Sequence, residues 1–148
     1  MKSILLVEDS RLLRLATEQT LVRAGYSVVT AGDGEEALLI ARARIPDLVI
    51  LDMLLPKLGG PEVLEALKKG PLTAHIPVIV LSSLSQKNEA KLKKVGAVAY
   101  FEKSKLELDQ NSESLIHIVR RTLEGSAQPD TASELTFIGP TIVKKLKP

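Results

Sequence analysis

Four apolar runs, each closing on a polar side chain, set what this chain can fold into. Residues 3 to 9 (Ser-Ile-Leu-Leu-Val-Glu-Asp), 47 to 52 (Asp-Leu-Val-Ile-Leu-Asp), 78 to 82 (Val-Ile-Val-Leu-Ser) and 97 to 103 (Ala-Val-Ala-Tyr-Phe-Glu-Lys) share this design. Strands of a parallel sheet are covered on both faces, so they read as near-continuous runs of Val, Ile and Leu. Polar groups at their carboxyl ends collect in one crevice, where α/β sheets bind ligands. Glu8, Asp9, Asp52, Ser82 and Lys103 stand at those ends. Three acids, a hydroxyl and an ammonium brought together there suit a divalent cation and a phosphoryl group.

Segments of helical period separate the runs. From Ser10, a helix N-cap, the residues Leu12, Leu13, Ala16, Thr20 and Leu21 predict an apolar stripe that stops at Gly25. Asp33 with Glu36 has capping-box character and opens a second helix through Ala37, Leu38 and Ala41, and Pro46 ends the connection to the next strand. Gly60 and Pro61 start a third helix, Ser85 a fourth that closes at Gly96, and a fifth runs from about residue 112 to residue 123. With a short strand over Ser27 to Thr30, the chain reads as βα repeated five times. That alternation predicts an α/β doubly wound parallel sheet with helices on both faces.

At 148 residues with 45% hydrophobic content, the chain suits one globular domain over residues 1–124, followed by a linker-like and then apolar and basic tail over 125–148. Cysteine is absent, which excludes disulfides, thiolate metal sites and cysteine nucleophiles. Glu8 and Asp9 interrupt the opening apolar run far short of a signal peptide's core, so a soluble cytoplasmic protein is expected, with no membrane contact. A net charge of +2 and 3% aromatic content give no reason to expect nucleic-acid binding through this domain.

The residue chemistry at the crevice allows specific roles. Adjacent acids such as Glu8 and Asp9 repel each other and favour a hard cation, although Asp9 also fits a helix cap beside Ser10. Asp52 closes the most apolar run and suits a carboxylate nucleophile that forms an acyl phosphate; a metal ligand or a turn-forming Asp are the alternatives. Lys103 suits a point charge for a phosphoryl group, or a solvated lysine. Ser82 suits a hydroxyl donor to that group, against a helix-start cap.

Taken together, Leu-Val-Glu-Asp-Ser at 6 to 10, Leu-Asp-Met-Leu-Leu-Pro at 51 to 56 with Gly60 following, Val-Ile-Val-Leu-Ser-Ser at 78 to 83 and Tyr-Phe-Glu-Lys at 100 to 103 resemble the receiver domain of two-component response regulators. The resemblance covers roughly residues 1–124 and implies a flavodoxin-like sheet in the order 2-1-3-4-5. It implies that Asp52 accepts a phosphoryl group from a histidine kinase or histidine phosphotransfer protein with Mg²⁺, in a two-component system or phosphorelay. Asp9 would ligate the metal directly and Glu8 through water, with the backbone carbonyl of Leu54 a further ligand. Phosphorylation would draw Ser82 inward, and Tyr100 would fill the vacated space; a tyrosine that never moves is the alternative. Output would be read by a downstream protein on the surface of the fourth helix, fifth strand and fifth helix, where Lys87, Lys91, Lys93, Lys94 and Arg120 lie. Self-phosphorylation and self-dephosphorylation, rather than metabolite turnover, would be its only chemistry.

Ser104 follows Lys103 where the family commonly has proline; a cis bond there would cost about 3–4 kcal/mol, so trans is expected. An aspartyl-phosphate hydrolase on the same fold class is a rival, weakened by Leu54 where an acid is needed. A flavin-binding module would need a phosphate-cradling loop where Glu8 and Asp9 stand. The front of a longer multidomain regulator is a third reading, and homodimerisation stays open. In the tail, Leu135, Phe137, Ile138, Ile142, Val143 and Leu146 are apolar enough to dock on the domain's own surface or on a second copy.

Overall fold

A computed structural model describes residues 1–82, 94–103 and 113–125. Strands β1 (Ser3–Val7), β2 (Ser27–Ala31), β3 (Leu48–Asp52), β4 (Val78–Ser82) and β5 (Ala99–Glu102) form one sheet in the order β2-β1-β3-β4-β5. Every pairing is parallel. This is the doubly wound order that the resemblance implies. Position in the sheet explains the composition: every residue of β3 and β4 is buried, whereas the edge strands β2 and β5 are partly exposed.

Side chains alternate across a strand, so each run feeds two layers. On one face Leu5, Val7, Val49, Leu51, Val78 and Val80 pack with Ala37, Leu38 and Ala41 of α2 (Gly34–Arg44) and Val63, Leu64 and Leu67 of α3 (Gly60–Lys69). The other face buries Ile4, Leu6, Leu48, Ile50, Ile79 and Leu81. Each such side chain withdrawn from water contributes roughly 1.5–3 kcal/mol, and the two apolar layers hold the strand ends rigidly.

Helix α1 (Arg11–Arg23) begins as the sequence predicts, with Ser10 Oγ accepting from the Leu13 N–H at 3.3 Å. Its buried face differs from the predicted stripe. Thr17 and Leu21 are buried, while Leu12 and Ala16 are exposed, because the inward row steps through positions 13, 17 and 21. Ala24 caps the helix and Gly25 follows with φ +102°, the left-handed position that glycine adopts without strain. At α2, Asp33 accepts from the Glu36 N–H at 2.8 Å, but the Glu36 carboxylate reaches the Gly32 N–H instead of closing the box on Asp33. Between α3 and β4, Lys68 Nζ donates to the carbonyls of Ala74 at 3.1 Å and Ile76 at 2.6 Å, and burial pushes its pKa down.

The last described helix spans Glu113–Gly125 and buries Leu115 and Val119. Every candidate site residue lies within residues 1–116. Most of the helix predicted from Ser85, the Lys103 to Ser104 bond, the tail beyond residue 125, and Lys87, Lys91 and Lys93 lie outside the described residues. Among the described residues no helix is long and apolar enough to cross a membrane.

Candidate functional site

The carboxyl ends of β1, β3 and β5 bring Glu8, Asp9, Asp52 and Lys103 together. β1 ends at Val7, earlier than the apolar run implied, so both acids occupy the turn before α1. Glu8 is buried and Asp9 is exposed. The Glu8 N–H still continues the sheet by donating to Ala31 O at 3.0 Å, which points its side chain into the crevice. There Oε2 accepts from the Ser10 N–H at 3.0 Å. Arg14 Nη1 donates to the Glu8 carbonyl at 2.8 Å and fixes the turn from the α1 side.

Asp52 is buried at the end of β3, and its Oδ1 accepts from the Leu54 N–H at 3.2 Å. Lys103 directly follows β5 and carries its Nζ to 2.8 Å from Asp52 Oδ2 and 3.1 Å from Glu8 Oε2. One cation thus faces two buried carboxylates. Burial pushes the Glu8 pKa up, the Ser10 N–H and Lys103 pull it back in part, and the Asp52 charge adds to the rise. Burial alone would lower the Lys103 pKa, but hydrogen bonds to Asp52 and Glu8 outweigh it and hold the ammonium above its ordinary value.

The arrangement fits a hard cation. Ligand oxygens of Glu8, Asp9 and Asp52 lie within 4.8 Å of one another. Glu8 Oε1 is buried and accepts no hydrogen bond, although Lys103 Nζ is 3.0 Å away in ion-pair contact. The Lys103 charge offsets part of the cost of burying this oxygen without a hydrogen bond, and a divalent cation with oxygen ligands would take it as a direct ligand.

Ser82 is buried at the end of β4, in the position after Leu81, which pairs with Asp52 in register. Tyr100 is half-buried, pairs with Val80 and packs against the apolar cluster on the α2 and α3 face. The Leu54 side chain is exposed. Sequence reasoning missed Arg14, although a charged residue beside the inward positions 13 and 17 of α1 was a usable signal. It also missed the contacts around the loop after Asp52, which depend on backbone proximity and leave no sequence pattern.

Residues 4–119 match the response regulator receiver domain family. The chain belongs to that family. This receiver is 35% identical over 103 residues to the polar-differentiation response regulator DivK of Brucella anthropi, covering 69% of this chain and 84% of DivK. The chemotaxis response regulator CheY4 of Vibrio cholerae superposes with a TM-score of 0.73 at 32% identity, covering 82% of this chain and 98% of CheY4. The Mn²⁺-bound form of the response regulator Rcp1 superposes with a TM-score of 0.68 at 28% identity, covering 76% and 88% of the two chains. The receiver spans only 34% of the length of a probable transcriptional regulator with which it shares 41% identity over 85 residues.

Proposed function

We propose that this receiver accepts a phosphoryl group on Asp52 from a histidine kinase or histidine phosphotransfer protein, with Mg²⁺ held by Glu8, Asp9, Asp52 and the Leu54 carbonyl. The observation that carries the reading is the buried Asp52 carboxylate with Lys103 Nζ at 2.8 Å and two further acids beside it. The metal-bound Rcp1 structure supports the divalent cation. Such a cation neutralises phosphoryl oxygens and so makes a carboxylate a competent acceptor.

The chain's own groups divide the remaining work. The Leu54 N–H and Lys103 orient the Asp52 carboxylate, whose oxygen attacks the phosphorus of a phosphohistidine donor. The P–N bond breaks as the P–O bond forms, and the electron pair leaves with the imidazole nitrogen. Lys103 then faces a group carrying roughly −1.5 to −2 charges at pH 7, which it stabilises as a point charge. Ser82 donates its hydroxyl to a phosphoryl oxygen, and Tyr100 follows it inward. The change at Ser82 and Tyr100 is what a downstream partner protein reads. Loss of the phosphoryl group to water returns the resting state.

Incubation with a small-molecule phosphodonor tests the reading. Mg²⁺-dependent incorporation of one phosphoryl group, released by hydroxylamine as an acyl phosphate is, supports it. Incorporation that resists hydroxylamine contradicts it.

A further inference from the structure

The loop from Met53 to Gly59 carries Leu54, and two glycines bring the neighbouring helices directly against it. Gly60 opens α3, and a Cβ there would stand 2.5 Å from both the Asp52 carbonyl oxygen and the Met53 Cα. Gly34 opens α2, and a Cβ there would overlap the Leu58 carbonyl oxygen and lie 2.8 Å from the Leu58 Cβ. Backbone cannot swing aside as the tip of a long side chain can. The loop between them is tightly turned: Lys57 has φ +67°, the Leu58 N–H donates to Pro56 O at 2.7 Å, and the Gly60 N–H donates to Met53 O at 3.2 Å. Lys57 also pairs with Asp33 Oδ2 at 3.6 Å, but its side chain is 61% exposed, and such pairs hold little. Close packing, rather than the ion pair, therefore clasps the loop.

We propose that Gly34 is a positioning residue for the cation site: its contact with Leu58 sets the Met53 to Gly59 loop, and with it Leu54, before any metal arrives. This rests on the proposed receiver chemistry and adds to it a residue on α2 that touches neither metal nor phosphoryl group. Removing a group that orients a metal ligand typically weakens metal binding about 10- to 100-fold.

Hydrogen exchange on the metal-free full chain is the first arm. The Leu58 and Gly60 amides are expected to be protected without Mg²⁺ and to change little when it is added. Amides that exchange freely and become protected only with Mg²⁺ overturn the proposal, because the metal would then be ordering the loop. The second arm is titration calorimetry with Mg²⁺. Gly34→Ala is expected to keep a cooperative unfolding transition and bind Mg²⁺ about 10-fold more weakly. Glu35→Ala, at the next, exposed position, should stay within about twofold of wild type. A folded Gly34→Ala that binds as tightly as wild type overturns the proposal. If Gly34→Ala does not fold, the exchange arm decides. A wild-type chain that binds no Mg²⁺ overturns the cation site itself, and this inference with it.

Discussion

Lys103 and Asp52 meet at 2.8 Å with side chains only 18% and 1% exposed. A pair this far from water contributes little net stability, because desolvation offsets most of the attraction. Its value is positional: the ammonium already stands where phosphoryl oxygens would arrive. It also occupies carboxylate oxygens that a cation would use.

Lys103→Met should therefore separate binding from chemistry. Removing a competing charge should strengthen Mg²⁺ binding by at least roughly 1 kcal/mol, the value for two unit charges about 4 Å apart in water. Phosphoryl uptake should slow at the same time. Calorimetry and a timed labelling reaction measure the two effects, and weaker Mg²⁺ binding in the variant would show that Lys103 supports the cation instead of opposing it.

Much of this site could be read from the chain because β3 and β4 are buried on both faces. A run such as Leu48 to Asp52 then has one interpretation, and its terminal acid one location. Helix α1 was less legible, since a helix covered on one side only can carry apolar residues outward. Leu12, Leu15 and Val22 are exposed, so the sequence alone could not tell the inward row from the outward one. Gly34 was illegible for another reason, and Gly60 was legible only as a helix start: what matters at each is the neighbouring backbone.

That distinction can be measured on α1. Leu21→Ala removes a fully buried side chain and should cost about 2–5 kcal/mol. Leu12→Ala, at a position 82% exposed, should change stability by less than about 0.5 kcal/mol. Denaturant titration of the two variants should separate them clearly, and similar losses would restore the predicted stripe.

Asp33 supplies a pH test. Its pKa is lowered chiefly by the Glu36 N–H, with the Lys57 charge adding to the effect. A carboxylate whose folded pKa is depressed contributes stability above its unfolded pKa and loses it as pH falls through the folded value. The difference in Tm between wild type and Asp33→Asn should accordingly be positive at neutral pH and shrink on acidification below about pH 4. A difference that does not change with pH would mean that the cap draws nothing from the charge.

Lys68→Met keeps the apolar stem but leaves the Ala74 and Ile76 carbonyls without their donor. A loss of about 1–3 kcal/mol is expected in chemical denaturation, the range for an unsatisfied partly buried group. No loss would show that water replaces the ammonium at both carbonyls.

The central claim is that Asp52 itself takes the phosphoryl group, and site mapping tests it most directly. Wild type and Asp52→Asn are exposed to a small-molecule phosphodonor with Mg²⁺, and each product is weighed intact and then fragmented to locate the modification. One phosphoryl group on Asp52 in wild type, and none in Asp52→Asn, is the predicted result. The same stoichiometry in both proteins, or a label placed elsewhere in wild type, would contradict the account.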